Sequence, residues 1–351
     1  MPTVNLGDII TTTLRSRTGM LADNVTKNNA LLARLNTKGR IKPITGGSQI
    51  LQELAYAEMA NAMYYSGYQP IDLTPQKTID SATFDIKQAA VGVTISGLEE
   101  LKNSGEEQII DLLEARIEVA EDTMKNLISV GIYSDGTGYG GKEIGGLQYL
   151  ISKTPSVGTV GGFDRGQASN VFWQNLAVSF GAVTTGSASL GLTAGADTIQ
   201  HAMNYTYMNL IRGMDKPDLI VADNNYYLYF LESLQSLQRI QDSNDLGRLG
   251  FETLKYLQAD VVLDGGFGTG YGAPSSAPLA SNASIFGPSC PTSTMYFLNT
   301  KYLFYRPHAK RNMVVDERER VSVNQDAEAR LILFAGNLTM SNASLQGVLF
   351  A

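Results

Sequence analysis

The chain contains one cysteine, Cys290, among its 351 residues. That excludes an intrachain disulfide and any cysteine-built metal site. Charge is also scarce, at 17% of residues against about 25% in an average soluble domain. No excess of basic residues exists: the net charge is -7 and the isoelectric point about 5.0. This argues against a sequence-reading nucleic-acid binder, which normally shows a basic face, but not against a wall that encloses nucleic acid without gripping it. No apolar run approaches the roughly 18 residues of a membrane span, so no membrane association is expected. The opening MPTVNLGDII lacks the basic and apolar regions of a secretory signal. Without one, the N-x-S/T triplets at Asn24, Asn204, Asn282, Asn337 and Asn342 are products of an Asn/Ser/Thr-rich composition.

What is present is ample apolar residue, 43%, and 35 glycines, over a length suited to two or three domains. Low charge without membrane character suggests a surface largely covered by other copies or partners; a large enzyme with a neutral surface is the plain alternative.

One stretch raises the question of nucleotide chemistry. In SDGTGYGGKEIGGL, Gly136, Gly141 and Lys142 fit the start of a phosphate-cradling loop. The following residue is Glu143, where a Ser or Thr hydroxyl is needed for Mg²⁺, and the segment follows a helical pattern rather than a buried strand. The glycines therefore serve loop geometry.

Residues 1–40 read as an arm, with a weak amphipathic helix from Met20 to Leu35 (Leu21, Val25, Leu31, Leu32, Leu35) expected to lie on another subunit. ATFDIKQ and VGVTI alternate as strands, and GSQILQELAYAEMANAMYYSGY is an extended candidate before them. Together, 41–95 predict a long two-stranded excursion with its tip near Tyr65 to Gln76. Such a ribbon is marginal alone and needs a surface, most simply a neighbouring copy. Residues 104–130 predict a long helix: Ser104 and Glu107 fit a capping box, and Ile109, Leu113, Ile117, Ala120, Met124, Leu127 and Ile128 share one face. Gly131 is expected to end it, and EIGGLQYLI to resume as a short strand or turn. Further on, the pattern predicts a helix capped by Asp197 and reaching Arg212, a strand at 219–222, a helix capped by Asp223 to Ile240, a strand at 259–263, and a Gly/Ser/Pro/Ala loop at 265–290. In that loop Gly268, Gly270 and Ala273 meet only the loosest dinucleotide fingerprint, and prolines follow where a helix is needed. TMYFLN, KYLFYRP, NMVVDE and ARLILFAGNLTMSNASLQGVLF return to strand. No internal repeat is visible.

Candidate chemistry is thin. His201 lies in a predicted helix, and His308 in the basic cluster RPHAKR with Arg306, Lys310 and Arg311. That cluster could meet acidic residues of a neighbour, bind phosphate, or simply be a solvated turn. No G-x-S-x-G nucleophile turn occurs, the carboxylate pairs read as helix starts or turns, and no cofactor box is found. The sequence predicts no enzyme and no cofactor.

The order of arm, hairpin, spine helix, Gly-rich turn, α/β block and returning strands resembles the major capsid protein of tailed bacteriophages, the Hong Kong 97-type fold. The resemblance is carried by YSGYQPIDL, KQAAVGVTISGLEELKNSGEEQIIDLLEARI, IGGLQYLI, KPDLIVADNNYY, MYFLNTKYL and NLTMSNASLQGVLF, and covers nearly the whole chain. It implies an α+β fold with an N-terminal arm (1–40), an extended loop (41–95) across the adjacent subunit, a peripheral domain (96–165 and 295–351) and an axial domain (166–294). It implies self-assembly into pentamers and hexamers of an icosahedral head around double-stranded DNA, located in the virion after assembly in the host cytoplasm. A portal, a separate scaffolding protein or none (no scaffolding segment precedes the hairpin), and a decoration protein are the partners it suggests. An encapsulin-type compartment is the alternative with the same fold, and a soluble oligomeric enzyme the alternative outside it. Inter-subunit contacts are expected at Tyr65, Tyr68, Gln69, Pro70, Lys77, Arg306 and Arg311. Some relatives crosslink Lys to Asn; Lys77, Lys87, Asn337 and Asn342 are the imaginable partners here, and no motif singles them out, so no crosslink is expected.

Overall fold

The computed structural model describes residues 29–57, 59, 61–75, 77–96, 106–181, 184–234, 253–264, 290–315, 320–321 and 327–351. In chain order these form helix α1 (Ala30–Thr37), strands β1 (Gln49–Ala55), β2 (Ile79–Asp85) and β3 (Lys87–Ser96), the long helix α2 (Glu106–Tyr133), and the single turns α3 (Gly138–Gly141) and α4 (Leu147–Leu150). A small ladder of β4 (Thr159–Val160) and β5 (Phe163–Asp164) leads to β6 (Leu176–Ser179), β7 (Ala188–Ser189), α5 (Ala196–Asn209), β8 (Leu219–Ala222), α6 (Asn224–Leu234), β9 (Thr253–Tyr256) and β10 (Ala259–Leu263). Then come β11 (Thr294–Leu298), β12 (Leu303–Pro307), β13 (Val314–Val315), β14 (Arg320–Val321), β15 (Ala327–Met340) and β16 (Gly347–Phe350). The mixture is α+β, as expected.

Two sheets organise the molecule. One has seven strands in the order β7-β6-β16-β11-β8-β10-β9, mixed in direction. The other is built around β15, which pairs with β12, β13, β14 and all of β3. In β8, every side chain is buried, because successive residues point to opposite faces and both faces are covered. Ile220 and Ala222 join Ile199, Met203, Tyr207, Tyr226 and Phe230 under α5 and α6. Leu219 and Val221 face the other way, into the core that continues to the second sheet. The expected division at residue 295 does not follow the sheets: β11 and β16 lie in the seven-stranded sheet, and β3 lies beside β15.

Helix α2 is a spine about 42 Å long at 1.5 Å per residue over its 28 residues. Ile117, Ala120, Met124, Ile128 and Ile132 are buried along one face. Ser104, of the expected capping box, lies outside the described residues, as do the side chains of Ile109 and Leu113. The helix does not stop at Gly131 but runs to Tyr133. A Cβ at Gly131 would stand 3.4 Å from Ile144, ordinary van der Waals contact, and the buried Ile132 and Tyr133 carry the helix past it. Of the segment expected as a short strand or turn, Leu147–Leu150 form the single helical turn α4 and no strand forms.

Several other expectations are corrected. The first described helix starts at Ala30, capped by the Asn29 side chain, which accepts from the N–H groups of Leu31 (3.0 Å) and Leu32 (3.2 Å); residues 20–28 of the expected helix lie outside the described residues. Its Leu31, Leu32 and Leu35 are wholly buried in this same chain's core, so this part of the arm needs no other subunit. Gly195, not Asp197, caps α5, which ends at Asn209 rather than Arg212. Asp223 does cap α6, accepting from Tyr226 N–H at 3.0 Å; residues 235–240 and 265–289 lie outside the described residues. The stretch read as one long terminal strand is two, β15 and β16, in different sheets.

Candidate assembly surface

The hairpin β1–β2 pairs in register from Gln49–Asp85 to Ala55–Ile79. Its inward residues Ile50, Leu54, Ala82 and Phe84 are buried within this chain. Gly161 sits at a positive φ of 60°, accepts from Thr83 N–H at 2.9 Å, and leaves no room for a Cβ beside Ala82. The ribbon therefore lies on its own subunit, contrary to the expectation that a neighbour supplies that surface. The last rung is Tyr56, whose N–H donates to Thr78 O (3.1 Å) and whose hydroxyl donates to Lys77 O (2.7 Å), with its ring 4.9 Å from Phe172.

Beyond Tyr56 the support ends. The tip is held by short local bonds: Gln69 N–H to Ser66 O at 3.2 Å around Gly67 (φ 55°), and Thr74 N–H to Asp72 Oδ1 at 2.9 Å. The Thr74 hydroxyl and N–H hold the Asp72 carboxyl below its usual range. Apolar groups crowd the outside: Tyr64 and Tyr68 are fully exposed, Leu73 is 85% exposed, and Met59, Met63 and Ile71 stand nearby in sequence, all open to solvent. A segment this apolar, with so little packed beneath it, is what a docking surface requires and a free loop does not.

The expected contact residues separate into two places. Tyr65, Tyr68, Gln69 and Pro70 are together on the exposed tip. Lys77 is at its return, paired with Asp80 at 2.7 Å, a contact that raises the ammonium and lowers the carboxyl. Arg306 is elsewhere, half-buried on β12, donating to Gln52 Oε1 of β1 at 2.8 Å; desolvation lowers its guanidinium. Arg311 is exposed in the turn that follows. Sequence reasoning missed Tyr64 and Leu73, although a run of aromatics in a Gly/Pro segment was a usable signal. It also missed Arg40 and Lys42, which reach the Arg306 face only through tertiary pairing.

The Gly-rich stretch is a wall, not a phosphate cradle. Tyr139, Gly140 and Gly141 take positive φ, and Lys87 Nζ donates to Gly141 O at 2.6 Å. With Ala89, Leu127, Ile128, Ile144 and Lys142 the loop encloses a cleft of about 320 Å³ beside the spine helix. Asn337 is occupied internally, donating to Asp85 O (2.8 Å) and accepting from Gly145 N–H (3.0 Å).

Taken as a whole, this arrangement matches solved capsids. The capsid asymmetric unit of cyanophage A-1(L) matches at a TM-score of 0.60, covering 89% of this chain and 90% of that one at 15% identity. The capsid of a native GTA particle matches at 0.51, covering 89% and 88% at 11% identity. The chain has a Hong Kong 97-type capsid fold. No family model and no curated relative matches it by sequence. Among the described residues no helix is long and apolar enough to cross a membrane, and no group of His, Cys, Asp and Glu could hold a metal ion.

Proposed function

We propose that this chain is the major capsid protein of a tailed phage, assembling as pentamers and hexamers into an icosahedral shell around double-stranded DNA. The observation that carries the reading is the capsid fold over nearly the whole chain, joined to a hairpin whose base is packed at home and whose tip is not. In this reading Tyr64, Tyr65, Tyr68, Gln69, Pro70 and Leu73 lie across the adjacent subunit, and Lys77 anchors the return. The α5–α6 module is the axial part, and α2 with the β15 sheet the peripheral part. Many weak contacts, repeated and closed by symmetry, then stabilise the shell. The site of action is the virion, reached from host cytoplasm; portal and scaffolding chains act alongside.

Electron microscopy of the purified chain, with size-exclusion chromatography, tests this. Closed shells, tubes, or rings of five and six support it, and shell diameter weighs a phage head against an encapsulin-type compartment. A uniform dimer or tetramer that never grows, even with crowding agents, overturns it.

A further inference from the structure

The chain is acidic overall, yet its acidic residues are absent from two long stretches. Residues 24–52 and 265–315 contain no Asp or Glu at all, and carry nine of the 27 Lys and Arg. The fold brings parts of these stretches side by side. Residues 40–44 run parallel to β12 as an extra edge: Lys42 N–H donates to Tyr305 O (2.9 Å), Ile44 N–H to Pro307 O (2.9 Å), and Tyr305 N–H to Arg40 O (3.2 Å). In β12 the odd residues Leu303, Tyr305 and Pro307 face the core. The even ones face outward, where Phe304 lies beneath three cations: Lys42 Nζ at 5.0 Å, Arg40 at 5.5 Å and Arg306 at 5.6 Å from its ring. Lys310 and Arg311 extend the row, both exposed. Among the described residues none of these five makes an ion pair.

We propose that Arg40, Lys42, Arg306, Lys310 and Arg311 form a binding strip for the phosphodiester backbone of nucleic acid. Like charges gathered on neighbouring strands repel one another, and a row of cations is satisfied by a row of anions. The form of the surface selects the partner. Outward residues on a strand recur about every 6.6 Å, so the strip is linear rather than a pocket. Its one aromatic is covered, Phe304 being only 7% exposed. Protein interfaces use Arg too, but they centre on exposed apolar and aromatic side chains, which this strip lacks, whereas backbone contacts to nucleic acid need only placed Lys and Arg. Nothing in the strip reads base edges, so binding is independent of sequence. The acidic remainder of the chain confines the contact to this strip. The inference adds to the shell reading and rests on it only for where the nucleic acid lies, on the inner face.

The test is fluorescence anisotropy of a mixed-sequence DNA duplex with the full chain, over about 50 to 200 mM salt. The exposed side chains are changed together as Lys42→Gln, Lys310→Gln, Arg311→Gln, sparing half-buried Arg306. A control carries Lys142→Gln, Lys216→Gln, Lys255→Gln, with the same change in net charge. The strip variant is expected to bind more weakly, and its log–log salt slope to fall by about 2.7, at ~0.9 per lost phosphate contact; the control keeps its slope. Equal losses in both variants overturn the proposal, as does absence of duplex binding by the unaltered chain. So does a strip variant that binds DNA normally but no longer self-associates, which would assign the strip to a second copy. Shells seen by microscopy alongside an unchanged slope sink the strip and leave the shell reading standing.

Discussion

The side chain of Gln346 holds both backbone groups of Asn299: its Oε1 accepts from Asn299 N–H at 2.9 Å and its Nε2 donates to Asn299 O at 3.0 Å. Both residues are buried, and each sits where the chain passes between the two sheets. Asn299 joins β11 to β12, and Gln346 joins β15 to β16. One amide therefore fixes both crossings.

Gln346→Ala should leave the buried Asn299 N–H unpaired, at about 1–3 kcal/mol, while Asn299 O keeps the bond from Tyr302 N–H at 3.2 Å. Urea unfolding should show a lower midpoint with an unchanged slope. A midpoint within error of the unaltered chain would mean water fills the gap and the amide does little.

The Gly-rich turn offers a paired comparison. A Cβ on Gly146 would lie 2.4 to 2.5 Å from the carbonyls of Ile132 and Gly131, and from Ser134 N. These are backbone atoms that cannot step aside, so Gly146→Ala should cost upwards of ~3 kcal/mol and reduce soluble yield. Gly140, at φ 69°, has open space around its Cα. Gly140→Ala should cost only the left-handed backbone, about 1–2 kcal/mol. Melting temperatures in the reverse order would refute the packing argument.

Asp264 is buried at the end of β10, where the Tyr133 hydroxyl donates to it and Cys290 N–H donates to its carbonyl at 2.7 Å. Burial pushes its carboxyl up to about 7, against the hydrogen bond from Tyr133, which lowers it. The unfolded value is about 3.9. Between these values the folded chain holds the proton and the unfolded chain does not. This group's stabilisation is therefore full below about pH 4, falls as pH rises, and is exhausted above about pH 7. Asp264→Asn removes the titration but keeps an acceptor for Tyr133. Stability curves of the two proteins should converge or cross as pH rises from 4 to 7 and run parallel above it; parallel curves throughout would show that the carboxyl does not titrate there.

Tyr64→Ser, Tyr68→Ser and Leu73→Ser, made together, should leave unfolding within about 0.5 kcal/mol of the unaltered chain, since these groups touch little in the subunit. The same protein should fail to form shells or rings by microscopy. Normal particles from it would remove the tip from the assembly mechanism.

Much of the architecture was legible where one local signal decided it. Asp223 before an aromatic run marked α6, and the apolar 219–222 marked a strand buried on both faces. The spacing of Ile117, Ala120, Met124 and Ile128 marked the spine. Failures arose where a residue answers to something distant. Gly131 looks like a helix end, but Ile132 and Tyr133 beyond it are buried against distant parts of the chain and carry the helix on. Ser341–Gln346 does not look like a sheet change because the strand partners that pull β15 and β16 apart come from elsewhere in the chain. Tyr65 and Tyr68 could be read locally as a tip. The basic strip was half visible in RPHAKR, and its other half, Arg40 and Lys42, arrives only by the pairing of Ile41 with Tyr305.

The position of β16 also sets a schedule. It lies between β6 and β11 in the seven-stranded sheet, pairing with both. While the ribosome is still making the chain, β6 with β7 forms one fragment and β11 with β8, β10 and β9 another, each with a bare edge where β16 belongs. That sheet cannot close until residue 350 has left the exit tunnel. A chain that has not yet supplied β16 thus presents two bare strand edges, each a template for mispairing.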